Sequence, residues 1–379
     1  MTSDTFCVNP WITLHAKFTD GYNPCCRFQG VISSEDISQY VQSQALIDIK
    51  QKLSSGKQIP QCRDCWDQEA RGYESKRQRD NRTYKLVFQA LYKDPQVPQD
   101  QFVEYYVRLG NHCNLRCTTC NDTLSSGWIS ENKKFNIPTK SVDMLDASHE
   151  VWSHIRTHAN TVGAIEFIGG EPFMMCQDLQ KDLFKFLVDT GHASHIRIKY
   201  NTNGTRLPVE QLEYWHQFKA VEINISADGL DDQFEYLRYP AEWAQVQSNI
   251  EFYKNLQLTT IPRLELTIIH TVSIMNIGYV DRMLEYCNKH DLKLFINMLE
   301  DPKVLSIFAA APAIKDWIRQ RIKHIDHPVI INMVKHLDQG NNKVTAQDIL
   351  DFIAPLDRRR SLDIAKTFPE LVECLRSAT

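Results

Sequence analysis

Three cysteines stand within eight residues in GNHCNLRCTTCN (110–121): Cys113, Cys117 and Cys120, spaced C-x3-C-x2-C. The next one, Cys176, lies 56 positions further on. A closed structural metal site takes four ligands, whereas a catalytic one keeps a position free. Thiolates also hold iron–sulfur clusters, and a [4Fe–4S] cube takes four of them. Three local thiols therefore describe a cube with one iron left open to an outside ligand. Zinc is the competing occupant of the same spacing.

A second thiol group precedes it. FCVNPW, TDGYNPCCRF and IPQCRDCWDQEARGYESKR contain Cys7, the adjacent Cys25 and Cys26, and the C-x2-C pair Cys62 and Cys65. Separated half-sites that close on one metal are typical of zinc or iron–sulfur binding. Successive side chains diverge in extended backbone, so Cys25 and Cys26 are not expected to ligate together. The set drawn here is Cys7, Cys25, Cys62 and Cys65, with Cys26 spare. Cys287 and Cys374 sit in helical patterns and read as buried thiols.

The elements around these groups alternate. FVEYYVRLG, AIEFIGG, HIRIKYNTNG, AVEINISADG, RLELTIIHTV and LKLFINML read as strands. Between them, 141–159, 177–191, 208–218, 241–256 and 279–291 read as helices, with Gly191 as a stop after the second and Pro208 opening the third. Six strands interleaved with helices imply a parallel sheet with the helices outside. About 200 residues is short of the roughly 250 of a full eight-unit barrel, so the expectation is an α/β fold with a partial, TIM-like (β/α)6 barrel. In such barrels the loops after the strands build the active site, and Cys113–Cys120 follow the first strand. The expected organisation is an N-terminal module over 1–85, a linker over 86–100 (YKDPQVPQDQ within it), the barrel over 101–300 and a helical C-terminal region over 301–379.

C-x3-C-x2-C after the first strand of a shortened barrel resembles the radical S-adenosylmethionine (radical SAM) superfamily. That resemblance implies that Cys113, Cys117 and Cys120 hold a [4Fe–4S] cluster whose open iron is chelated by SAM. An electron from the cluster then breaks a C–S bond, and a 5′-deoxyadenosyl radical takes a hydrogen atom from the substrate. The second strand ends in the family's GGEP pattern, Gly169, Gly170, Glu171 and Pro172, expected to lie against the methionine part of SAM. Ser226 and Arg238 match positions that hold its carboxylate, and Asn203 in NTNG resembles a position near SAM. The family's aromatic residue before the third cysteine is here Thr119, so adenine is expected on backbone near 297–299 instead. The N-terminal cysteines, with CRDCWDQEARGYESKRQ and the SSGW of Ser125, Ser126 and Trp128, resemble the twitch/SPASM-type auxiliary-cluster members, here with the module ahead of the barrel. This implies a second, auxiliary [4Fe–4S] cluster, with zinc as the alternative.

The remaining expectations are smaller. Cys176, close after GGEP, is a candidate catalytic thiol that returns a hydrogen atom. His270 and Asn297, at the ends of strands five and six, are candidate cavity residues. The basic run ARGYESKRQRDNRTYK and Arg358–Arg360 read as solvated helix faces. By resemblance the substrate is a peptide or protein, with a small metabolite (sugar, nucleotide or amine) as the alternative, and the electron donor is a flavodoxin or ferredoxin. A non-catalytic iron–sulfur redox sensor is the alternative of another class. A net charge of −4 gives no case for nucleic acid as a partner. No window of 18 apolar residues and no leader-like start are found, so no membrane association is expected and a cytoplasmic location is, where eleven cysteines stay reduced.

Overall fold

Strand residues that alternate between apolar and polar set the architecture. In Leu264–Val272 the buried positions are Leu264, Leu266, Ile268, His270 and Val272, and every residue between them is only part-buried. Such a strand packs one face on helices and turns the other to a wetter space. The computed structural model describes residues 3–17, 21–92, 100–340 and 343–378. Its strands are β1 (Thr13–Ala16), β2 (Tyr22–Asn23), β3 (Glu104–Arg108), β4 (Ala164–Ile168), β5 (Arg197–Thr202), β6 (Ala220–Ser226), β7 (Leu264–Val272) and β8 (Lys293–Met298). They form one sheet in the order β2-β1-β3-β4-β5-β6-β7-β8. β3 to β8 run parallel in sequence order, which is the partial (β/α)6 barrel expected.

The helices Gln177–Asp189, Trp243–Thr259 and Val280–Lys289 stand where the alternation places them, and Gly191 ends the first with φ +77°. Two others are shorter than expected. Of 141–159 only Val151–Thr157 is helical, because Met144 is drawn into a bridge with Gly110. Of 208–218 only Leu212–Trp215 is.

The N-terminal residues are not a separate body. β1 pairs in parallel with β3, from Thr13↔Glu104 to Ala16↔Val107, and extends the barrel sheet by two strands. Its four residues are all buried, and Leu14 and Ala16 share one apolar core with the barrel. Of the expected linker, the end of Lys85–Tyr92 is helical, and 93–99 lie outside the described residues. The C-terminal region is helical as expected. Ile314, Ile318, Ile349, Ile353 and Phe368 form a second core against Val272, Ile296 and Met298 at the ends of β7 and β8.

The basic run is largely not a solvated face. A capping box of Ser75 and Gln78 starts the helix Lys76–Thr83, and Lys76, Arg77 and Asp80 are buried in it. Lys76 Nζ lies 2.6 Å from Asp80 and 2.7 Å from the Tyr106 hydroxyl. Arg77 is held by Glu69 and donates to the Phe6 carbonyl. Burial of these charges requires such partners, and the partners are supplied by the barrel and the preceding helix Arg63–Ala70.

Candidate active site

The inner face of the barrel is polar. Glu104 and Tyr106 of β3, Glu166 of β4, Lys199 and Asn201 of β5, and Asn224 and Ser226 of β6 line a cavity of about 770 Å³. Asn297 and Phe295 of β8 complete it on one side, and Cys26, Arg27, Arg71 and Lys76 of the N-terminal segment on the other. Lys199 bonds Glu104 at 3.3 Å, Tyr84 donates to Glu104 at 3.0 Å, and Asn201 donates to Glu166 at 2.6 Å. The cavity thus lies across the open seam of the barrel. The N-terminal segment crosses that seam, with Arg27 reaching Asn297 and Arg71 bonding Glu300 at 2.8 Å.

The thiol loop leaves β3 and is held by three other loops. Gly170 N donates to the Gly110 carbonyl (3.0 Å), and Glu171 N to that of His112 (2.8 Å). Arg116 N and Thr118 N donate to the Tyr239 and Leu237 carbonyls. The SSGW segment meets the loop residue by residue. Ser125 Oγ bonds the Leu115 carbonyl, Cys113 N donates to Ser126 Oγ (3.0 Å), and Trp128 Nε1 donates to the Cys117 carbonyl (3.0 Å).

The glycine pair serves this packing. A Cβ on Gly170 would stand 2.2 Å from the His112 carbonyl oxygen, and one on Gly169, at φ +135°, 2.7 Å from that of Gly110. On the side where a Cβ would stand, both glycines are met by backbone of the thiol loop. Gly170→Ala must push backbone against backbone, which costs about 1–3 kcal/mol or more. The expected result is a lower urea midpoint and loss of iron from the Cys113 group, both measured on the purified variant.

Asn203 and Arg238 come to the sulfurs. Asn203 Nδ2 lies 3.7 Å from Cys113 Sγ and 3.0 Å from Asn114 Oδ1. Arg238 lies 4.0 Å from Cys117 Sγ and is locked by buried Asp228 at 2.7 Å. Its Nε is buried with no partner. Burial pushes the Cys113 and Cys120 thiols up to about 12 and raises Cys117, against which Arg238 acts. Metal binding at this loop must therefore drive deprotonation.

Two expected site residues are placed differently. Glu171 is fully buried and accepts from Phe173 N, Thr202 Oγ1 and Asn203 N at 3.1, 2.8 and 2.7 Å. Its carboxylate braces the ends of β4 and β5 instead of facing open space, and burial pushes it up to about 7. Cys176 does not line the cavity. It precedes the helix Gln177–Asp189 at φ +51°, and its thiol donates to the Leu145 carbonyl. Ser226 does line the cavity, and Pro172 opens the turn Pro172–Met174. His270 is buried, with Nδ1 on the Ala227 carbonyl and Nε2 unpartnered.

Cys7, Cys25, Cys62 and Cys65 line one small cavity with Asn9, Arg27 and Arg77, while Cys26 faces the large cavity. Among the described residues, no three sulfurs of either group lie within 4.8 Å of one another. A single tetrahedral zinc would draw its sulfurs to about 3.8 Å.

Sequence reading missed Asp228, Glu104, Lys199 and Glu166. For the three strand residues the signal was present, a charged residue among polar ones on the alternating face of strands in a parallel sheet, where near-continuous apolar runs are the rule. Asp228 lies two positions past β6.

Residues 107–287 match the family model described as the Radical SAM superfamily. No curated protein matches the sequence. Among solved structures, anSMEcpe with bound AdoMet aligns at a TM-score of 0.42 and 17% identity, over 67% of this chain and 59% of that one. SuiB from Streptococcus suis bound to precursor peptide SuiA aligns at 0.38 and 13%, over 79% and 58%. The chain thus covers less than three fifths of these proteins' length.

Proposed function

Starting from a Radical SAM superfamily domain at residues 107–287, we propose that the protein is an enzyme that cleaves SAM reductively and abstracts a hydrogen atom from its substrate. The observation that carries this is Arg238. A buried guanidinium with an unpartnered Nε, beside three thiols that lack a fourth, provides the charge a carboxylate ligand at the open corner would require. A cluster on Cys113, Cys117 and Cys120 with SAM supplies, when bound, one-electron cleavage of a C–S bond and a hydrogen-abstracting carbon radical.

The chain's own residues supply position and electrostatics. Asp228 fixes Arg238 and prevents it from turning to bulk water. Glu171 acts through Asn203, whose backbone it holds and whose amide reaches Cys113. Gly169, Gly170 and Pro172 set the distance between the β4 loop and the thiol loop. Ser226 offers a hydroxyl from the cavity floor. The N-terminal segment closes the seam and limits access of water to the reaction.

In this reading 1–85 is an auxiliary-cluster module in which Cys7, Cys25, Cys62 and Cys65 fill all four corners of a second [4Fe–4S] cluster. It would relay or store an electron delivered by a flavodoxin or ferredoxin, and not bind substrate. The substrate is a segment of a peptide or protein. Terminal strand β8 carries Phe295, 43% exposed, at the cavity wall. An extended chain could pair there and send one side chain inward. A small metabolite is the second reading, favoured by a cavity volume within the range of small-molecule sites. Among the described residues no helix is long and apolar enough to cross a membrane, and the proposed location is the cytoplasm.

Anaerobic reconstitution tests the proposal. Iron and sulfide should each reach about eight per chain, and SAM with a strong reductant should yield 5′-deoxyadenosine. Full iron without that product would favour a redox sensor. Cys62→Ala should lower iron to about four and leave SAM cleavage measurable. Unchanged iron would remove the auxiliary cluster.

A further inference from the structure

A third group of ligating side chains lies on the far side of β3 from the thiol loop. His154 and His158 are one turn apart, at the end of the helix Val151–Thr157, and Asp100 stands ahead of β3. Each offers one ligand atom, and the three atoms lie within 4.8 Å of one another. His158 Nε2 is 3.9 Å from Asp100 Oδ2, and the two imidazole rings are 4.4 Å apart.

The second observation is at His154, which is 8% exposed. Its Nδ1 is hydrogen-bonded to the Tyr105 hydroxyl at 3.0 Å, and its Nε2 is buried with no partner. A histidine ligand to a metal commonly uses its second ring nitrogen in such an outer bond, which fixes the tautomer. In the tautomer whose Nδ1–H donates to the Tyr105 hydroxyl, Nε2 carries the free lone pair and is the atom His154 has left to offer an ion. An orphaned buried acceptor is costly, and a cation there would satisfy it.

The geometry points to a divalent metal site formed by Asp100, His154 and His158, of two imidazoles and one carboxylate, with zinc the best-matched ion. That donor set suits zinc in a four-coordinate arrangement completed by water. Asp100 precedes β3, whereas the thiol loop follows it, so the ion would lie at the opposite end of the strand from the proposed chemistry. It would clasp the entry of the barrel to its first helix. The site is independent of the two thiol groups.

The test is zinc loading of the cluster-containing full chain, read by metal analysis and zinc X-ray absorption. The expected result is one zinc with only nitrogen and oxygen neighbours at about 2.0–2.1 Å and none of the sulfur expected at about 2.3 Å. His158→Ala should weaken zinc binding by more than the roughly 10–100-fold typical of an outer partner. Tyr105→Phe should fall within that range. The iron content of both variants should match wild type, which shows that they fold. Absence of bound zinc, a sulfur shell, or equal zinc in His158→Ala would overturn the assignment.

Discussion

Cys117→Ala abolishes SAM cleavage, lowering 5′-deoxyadenosine formation by at least about a thousandfold, because ligands that assemble one site act as a unit. The other two thiols of the loop cannot retain a cube that already lacks a fourth protein ligand. Iron should fall from about eight to about four per chain, the remainder staying with the N-terminal thiols. The comparison with Cys62→Ala makes the result specific. Both variants lose half of the iron, yet only one loses turnover. Equal residual turnover in the two would mean that the chemistry does not run on the Cys113 group.

The second large effect is on stability, from a residue far along the chain. The Arg360 side chain is 1% exposed, and its guanidinium bonds both oxygens of buried Glu131 at 3.1 Å. It also stacks over Trp128 at 4.6 Å, the residue that holds the Cys117 carbonyl. Removing one partner of a buried pair costs about 3–5 kcal/mol. Arg360→Ala should fall at the low end, since Arg116, 3.7 Å from Glu131, remains to face it. Glu131→Gln should cost more, because it strips the carboxylate from two cations. Urea unfolding followed by tryptophan fluorescence measures both. Midpoints within the scatter of wild type would show that the pair is not what anchors the C-terminal region to the thiol loop.

Much of this was legible before folding. The six strands and the helices at 177–191, 241–256 and 279–291 follow from periodicity, and the two thiol groups are visible in their spacing. The divergence of successive side chains separates Cys25 from Cys26 but does not say which of them joins the other three thiols. What escaped did so for physical reasons. β1 is four residues long, so the alternation in TLHA is too brief to separate from chance, and both of its faces are buried. The helix Lys76–Thr83 looks solvated because its acidic partners, Glu69 and Glu104, come from other elements. Arg360 looks exposed for the same reason, its partner lying 229 positions away. Glu171 was read as a ligand-facing carboxylate, whereas its three donors come from the turn after GGEP and the end of β5. Long-range electrostatic pairing is invisible to local pattern, and it is what positions most of the site.

The most direct measurement is the electron paramagnetic resonance spectrum of reduced Cys62→Ala protein, in which only the cluster on Cys113, Cys117 and Cys120 remains. Addition of SAM should change its g values, because the sulfonium compound takes the free iron. Superimposable spectra with and without SAM would contradict the account.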